Sequence, residues 1–282
     1  MGKFDGVLLV SDFDDTMVDT SSLYRDPQHR LPPVPAYTVE RLNYFMDNGG
    51  RFCLVTGRSW QIMRPFIDGV PTNGPCAVAT GAGIIDISTE QFLYRRFLPA
   101  AAIDRLKEIL ARFPDLTCEL FRAAHRADVI HPIAFTVEHA EGAKYTYRVI
   151  EDPRETDAEV IKILFEGEND FLRELEAYIH TRPWFAGYEL AFSGLHLLEL
   201  TAKGANKGEV TKKLMELLGT SPEHLYCAGD QANDLHMLRI GVESFAPANA
   251  IPAVLQSGVT VVRSCGEGAV GEVVDLLDRR YA

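Results

Sequence analysis

Apolar positions along this chain follow two rhythms. Short unbroken runs such as Val7-Leu8-Leu9-Val10 read as strands buried on both faces, and longer stretches with apolar residues three and four apart read as amphipathic helices. The N-terminal part alternates the two. After the first run, a helix is predicted over residues 38–47, with Thr38 as its N-cap and Asn48-Gly49-Gly50 as its stop. A strand follows at 51–55, helix-like sequence at 60–67, which Pro65 should end or kink, and a short strand at 76–79. This βαβαβ opening predicts a parallel sheet with right-handed crossovers. Between its first strand and first helix, residues 20–36 carry Ser21, Ser22, Pro27, Pro32, Pro33 and Pro35, and read as a loop, a flap beside the end of the first strand.

From residue 84 to about 195 the texture changes. Strand candidates at 131–137, 143–150 and 161–165 alternate with helix-like stretches at 100–112 and 170–179, the pattern of a separate α+β unit. The βα rhythm returns at His196, with a strand at 197–200, a helix at 207–218, a strand at 225–228, and then helix, short strand and helix to the end. The expected organisation is an α/β fold: a parallel-sheet core made of residues 1–83 and 196–282, with 84–195 inserted into it. No internal repeat or low-complexity segment is visible.

Composition narrows the function classes. The 282 residues are 46% hydrophobic and 24% charged, an ordinary globular balance. A formal charge of -12 argues against general affinity for nucleic acid or anionic membranes, so an anionic substrate must be held by local cations or a metal. The five cysteines, Cys53, Cys76, Cys118, Cys227 and Cys265, form no CxxC pair, and three sit in or beside apolar strand-like runs. Buried free thiols in a reducing, cytoplasmic setting are the expectation. The N-terminus has no secretory signal pattern, and no apolar run approaches the ~20 residues of a membrane span.

The chemistry gathers at strand ends. Ser11-Asp12-Phe13-Asp14-Asp15-Thr16 follows the first apolar run, so its carboxylates emerge at the carboxyl end of a buried strand, where open α/β sheets bind ligands. If the strand continues through Asp14, Asp12 and Asp14 face the same way, and a hard divalent cation would relieve their repulsion. Thr56-Gly57-Arg58 follows the second strand, Lys207 opens a helix with Lys203 as a rival four residues earlier, and Gly229-Asp230-Gln231-Ala232-Asn233-Asp234 follows a late strand. Each alone has a plain reading as a turn, a helix cap or a solvated cation. Together, carboxylates for a metal, a hydroxyl beside backbone N–H groups, and a lysine make a site for phosphate bound with Mg2+.

These four segments, in this order, resemble the motifs of the haloacid dehalogenase superfamily of phosphatases. The insert resembles, in position and strand content, the α+β cap of the subgroup with Cof-type sugar phosphatases, sucrose- and trehalose-phosphate phosphatases and phosphomannomutase. The resemblance implies a Rossmann-like core and a cytoplasmic enzyme that hydrolyses a small phosphorylated metabolite, a sugar phosphate foremost. It makes Asp12 the nucleophile and Asp14 the general acid and base. Thr56, Gly57, Lys207 and Asn233 would hold the phosphate, and Mg2+ would sit on Asp12, the Asp14 carbonyl, Asp230 and Asp234, with Asp234 as a ligand or a support. Thr80-Gly81-Ala82 departs from the Asn-Gly-Ala that many Cof-type members have at this place.

Asp15 is left as a turn residue, and His236 is expected to point off the site. In the insert, Arg122, His125, Arg126 and Lys144 are the candidates to read the leaving group. Trp184, Phe185, Tyr145 and Tyr147 suit either core or an interface, which leaves the oligomeric state open. Two other readings stand beside the phosphatase: a phosphomutase using the same aspartyl-phosphate, and a signalling module phosphorylated on Asp12.

Overall fold

The computed structural model describes residues 2–26, 31–122, 126–156 and 159–282, with backbone alone at 23–25 and 126. In chain order its first half runs β1 (Leu8–Ser11), α1 (Ala36–Asp47), β2 (Arg51–Leu54), α2 (Trp60–Ile67), β3 (Cys76–Val78), β4 (Gly83–Asp86), β5 (Gln91–Arg95), α3 (Ala102–Arg112), β6 (Thr117–Arg122), β7 (Arg126–Ile130), α4 (Ala134–Gly142) and β8 (Thr146–Val149). The second half runs β9 (Val160–Glu166), α5 (Asn169–His180), β10 (Tyr188–Gly194), β11 (Leu197–Ala202), α6 (Lys207–Leu218), β12 (Leu225–Ala228), α7 (Leu235–Leu238), β13 (Glu243–Pro247), α8 (Pro252–Leu255), β14 (Thr260–Val262) and α9 (Ala269–Arg280).

The core sheet has the order β14-β13-β12-β1-β2, and every pair in it is parallel. Its apolar runs are continuous because both faces are covered. Leu9, Phe52, Leu54, Tyr226 and Phe245 pack with Leu42 and Phe45 of α1 and Val273, Val274 and Leu277 of α9. The alternate positions Leu8, Val10, Cys53, Cys227 and Ala246 pack with Val210 and Leu214 of α6, Met237 of α7 and Val254 of α8. All five cysteines are buried and free, and burial pushes the Cys53 thiol up to about 12.

The second sheet has the order β10-β11-β9-β6-β7-β8 and is antiparallel except for β7 with β8. Leu106 and Ile109 of α3 and Leu172, Leu175 and Ile179 of α5 share its core with Cys118, Leu120, Ile163, Phe165, Leu198 and Leu200. The alternate strand positions carry Glu119, Phe121, Lys162, Leu164, Glu166, Leu197 and Glu199, side chains of the opposite pleat face. A small sheet, β3-β4-β5, stands apart, and among the described residues β3 pairs with the parallel sheet through a Val55–Ala77 bridge while Cys76 and Val78 pack in its core.

Four expectations change. β11, read as the first strand back in the core, pairs antiparallel with β9 and β10, so the chain stays in the second sheet until Ala202. The stretch read as a strand at 131–137 is a turn followed by α4, because the Thr136 hydroxyl accepts the Ile133 N–H at 3.1 Å and turns the backbone into a helix. α1 begins at Ala36 rather than after Thr38, and the C-terminal region has two strands instead of one. α2 carries Pro65 inside it and still reaches Ile67. Among the described residues no helix is long and apolar enough to cross a membrane.

Candidate active site

β1 ends at Ser11, one residue before Asp12, whose N–H still donates to Ala228 O on β12 at 2.9 Å. The chain then turns sharply. Met17 N and Val18 N both donate to Phe13 O, and Asp15 takes the left-handed conformation at φ 53°, as befits a turn residue. Asp12 and Asp14 therefore meet through a turn, not through strand alternation, and both line a cavity of about 560 Å³ between the two sheets. Asp14 is gripped by Arg58, whose Nε lies 2.9 Å from Oδ2 and whose Nη2 lies 2.6 Å from Oδ1. Arg58 in turn lies over the rings of Phe13 and Phe66, 5.4 and 4.8 Å from their centroids.

The turn after β2 supplies Thr56, Gly57 and Arg58. Gly57 faces the cavity, and a Cβ there would come 3.5 Å from Thr80 Oγ1 and 3.6 Å from Glu199 Oε1. Thr56 lies behind it, buried, its hydroxyl accepting Arg58 N–H at 3.1 Å.

α6 brings Lys207 to the same point. Asn206 caps the helix by accepting Glu209 N–H at 2.9 Å, and Lys207, the first helical residue, is 1% exposed. Its ammonium lies 2.8 Å from Asp12 Oδ1 and 2.6 Å from Asp234 Oδ1. Lys203, the rival, pairs with Glu189 on the surface. Close approach demands glycine twice: a Cβ on Gly208 would lie 2.7 Å from His236 O, and one on Gly229 2.5 Å from Asp234 Cγ. The His236 side chain itself is exposed and away from the cavity.

The loop after β12 places Asp230, Asn233 and Asp234. Asp234 is saturated, with Oδ1 on Lys207 and Oδ2 accepting the N–H groups of Asp230 and Gln231 at 3.0 and 2.9 Å. Asp230 accepts the Thr16 hydroxyl at 2.7 Å. Asn233 Oδ1 is buried without a hydrogen-bond partner among the described residues, and Asp12 Oδ1 has the Lys207 ammonium at 2.8 Å as its partner.

Carboxylate oxygens of Asp12, Asp230 and Asp234 lie within 4.8 Å of one another, and all three residues are buried. Burial, with Asp234 and Asp14 nearby, pushes Asp12 up to about 8 against the pull of Lys207. Burial and the charges of Asp234 and Asp12 push Asp230 well above the carboxylate range. Lys207 is driven upward by Asp12 and Asp234 although burial opposes its charge. Three buried carboxylates with hard oxygen donors close together, only two of them paired with the ammonium, fit a divalent cation.

The insert closes the cavity with residues that the sequence reading did not select. Lys162 of β9 donates to Gly57 O at 3.0 Å and pairs with Glu199 of β11 at 2.7 Å, and the Thr80 hydroxyl donates to Glu199. Thr80 thus spends its side chain on this buried pair. Of the four candidates chosen for the leaving group, Arg122 is buried against Asp128 and Lys144 lies over the Phe66 ring at 5.1 Å, neither lining the cavity. His125 and the Arg126 side chain lie outside the described residues. The missed signal was a lone charge in an apolar strand: Lys162 within Val160-Ile161-Lys162-Ile163-Leu164, and Glu199 within Leu197-Leu198-Glu199-Leu200.

With this geometry in hand, comparison with known proteins places the chain. A family model for haloacid dehalogenase-like hydrolases matches residues 9–274. The chain belongs to that family. It is 32% identical over 91 residues to a 5-amino-6-(5-phospho-D-ribitylamino)uracil phosphatase of Bacillus subtilis, a match that covers 32% of this chain and 32% of that relative. A longer match, 29% identical over 234 residues and 80% of each chain, is to an HMP-PP phosphatase of Klebsiella pneumoniae. A solved HAD subclass IIB sugar phosphatase superposes with a TM-score of 0.81 at 18% identity, over 96% of this chain and 99% of that one. The family core with a separate antiparallel cap is the fold seen here.

Proposed function

We propose that the protein is a Mg2+-dependent phosphatase that hydrolyses a phosphate monoester of a small metabolite, a sugar phosphate among them, through an aspartyl-phosphate on Asp12. The observation that carries the reading is the buried pairing of Lys207 with Asp12 and Asp234 beside Asp230, at the floor of a cavity roofed by the cap. The relatives matched are named phosphatases, which supports hydrolysis over the phosphomutase and signalling readings.

In this reading the Asp12 carboxylate attacks phosphorus, and Asp14 delivers a proton to the departing oxygen. Asp14 then takes a proton from the water that opens the acyl phosphate, which returns Asp12 and releases phosphate. Lys207 offsets the charge shared by Asp12 and the phosphoryl oxygens, while Gly57 N–H, Asn233 and, from behind the turn, Thr56 hold those oxygens. Asp12, Asp230 and the Asp14 carbonyl would hold Mg2+, with Asp234 as support because both its oxygens are already engaged. Bound there, the ion would neutralise charge on the transferring group.

Phosphate release from an aryl phosphate and a panel of metabolite phosphates, with Mg2+ or EDTA, tests the reading. Release that requires both Mg2+ and Asp12, and vanishes in Asp12→Asn, is the expected result. No release by folded wild type from any of them overturns it.

A further inference from the structure

α4 is built inside out. It buries Thr136 and Ala140 and turns Ile133 and Val137 outward, 42% and 43% exposed. The reason lies beneath it, where two buried glutamates, Glu119 of β6 and Glu166 of β9, share one face of the cap sheet. His139 Nδ1 sits between them, 2.9 Å from Glu119 Oε1 and 3.2 Å from Glu166 Oε1. The Tyr145 hydroxyl donates to Glu119 and lies 3.1 Å from the same nitrogen, and Thr136 donates to Glu166.

One ring nitrogen is thus fixed, and the other, Nε2, has no partner among the described residues, although His139 lines the cavity. Beside it, also lining the cavity, Phe135 stacks on the imidazole with centroids 6.0 Å apart and planes at 11°. The same cavity is lined by the apolar Ile62, Phe121 and Leu164, with His196 next to Phe135 at 5.8 Å between centroids. Lys162 and Glu199, which also line the cavity, are already paired to each other. The ring stack of Phe135 on His139 beside Phe121 suits a flat ring that offers an acceptor, whose buried polar atom then keeps a hydrogen bond.

We infer that His139, clamped by Glu119 and Glu166, is a specificity-determining residue: its Nε2–H donates to an acceptor on a heteroaromatic leaving group lying along the Phe135 and Phe121 walls. The inference rests on the phosphatase reading and narrows its substrate class. Electrostatics agree. Burial opposes charge on His139, but Glu119 and the hydrogen bonds to both glutamates raise it to about 9, so the donor is present at neutral pH. His139 in turn holds Glu119 below its usual range despite burial, while burial and Glu119 raise Glu166.

Two isosteric substrates test it, a pyridylmethyl phosphate and benzyl phosphate, which differ by one ring nitrogen. Wild type should favour the pyridyl ester by about tenfold or more in kcat/KM, carried by KM, as a charged donor to one acceptor allows. In His139→Gln that preference should collapse toward unity. The titratable groups facing the ring are Glu119, Glu166 and Tyr145, with Glu138 and His196 along the cavity. If the variant does not fold, wild type still decides: KM for the pyridyl ester should rise above pH about 9 while KM for benzyl phosphate stays level. Equal kcat/KM for both esters, or a preference unchanged in His139→Gln, overturns the role of His139 while hydrolysis stands. Hydrolysis of neither ester, nor of any other phosphate, removes the phosphatase reading itself.

Discussion

Arg58 does more at this site than its place after a Thr-Gly turn suggests. Its planar fork holds Asp14 through Nε and Nη2, and two aromatic rings hold the fork, so the acid and base of the proposed reaction has one position. A lysine would restore the charge but not the two-pronged contact. Arg58→Ala should therefore lower kcat by roughly tenfold to a hundredfold, the scale on which misplacing a catalytic group acts. Arg58→Lys should recover little of it. Steady-state kinetics beside circular dichroism separate this from unfolding, and a kcat unchanged in Arg58→Ala would end the positioning role.

At the level of elements, the cap sheet keeps charge where strands usually keep only apolar groups. Lys162 and Glu199 are each 4% exposed, so removing one partner strands a buried charge. Lys162→Met and Glu199→Leu should each cost about 3–5 kcal/mol of unfolding free energy, whereas the double substitution should regain most of that loss. Denaturant titration of the four proteins checks it; additive losses would show that the pair is not coupled. The same elements mark where sequence legibility ends. β1, β2 and β12 are legible because a strand buried on both faces leaves an unbroken apolar run, and each is followed by the residues that line the floor. The carboxylates and Asn233 could be gathered for the same reason, since parallel strands deliver their ends to one edge, whereas Lys207 arrives on the first turn of α6, after a strand of the other sheet. α4 was illegible because its periodicity is inverted: Thr136 and Ala140 are buried, while the apolar Val137, and Ile133 at the N-cap, look outward. β11 was legible as a strand but not as a partner of β9, because pairing across the insert is a tertiary choice that local pattern does not carry.

For the whole molecule, the site is a source of instability that function requires. Asp12 is raised to about 8 in the folded protein, from 3.8 as an ordinary carboxyl, chiefly by burial. The folded state then binds the proton more tightly than the unfolded chain between those values, so stability falls as pH rises from about 4 to about 8. Asp230, raised by burial and by Asp234 and Asp12, acts in the same direction. A divalent cation that binds only the folded state reverses the loss by mass action. Thermal unfolding in EDTA should therefore show Tm dropping between pH 5 and pH 8, with Mg2+ restoring it at pH 8 more than at pH 5. Asp12→Asn, which cannot ionise, should unfold at a higher temperature than wild type at pH 8 in EDTA and gain less from Mg2+, while losing phosphate release. A wild-type Tm that rises over that pH range in EDTA, or an Asp12→Asn protein no more stable than wild type at pH 8, would mean that Lys207 alone balances the carboxylates and that the cation is not needed to hold this edge of the sheet together.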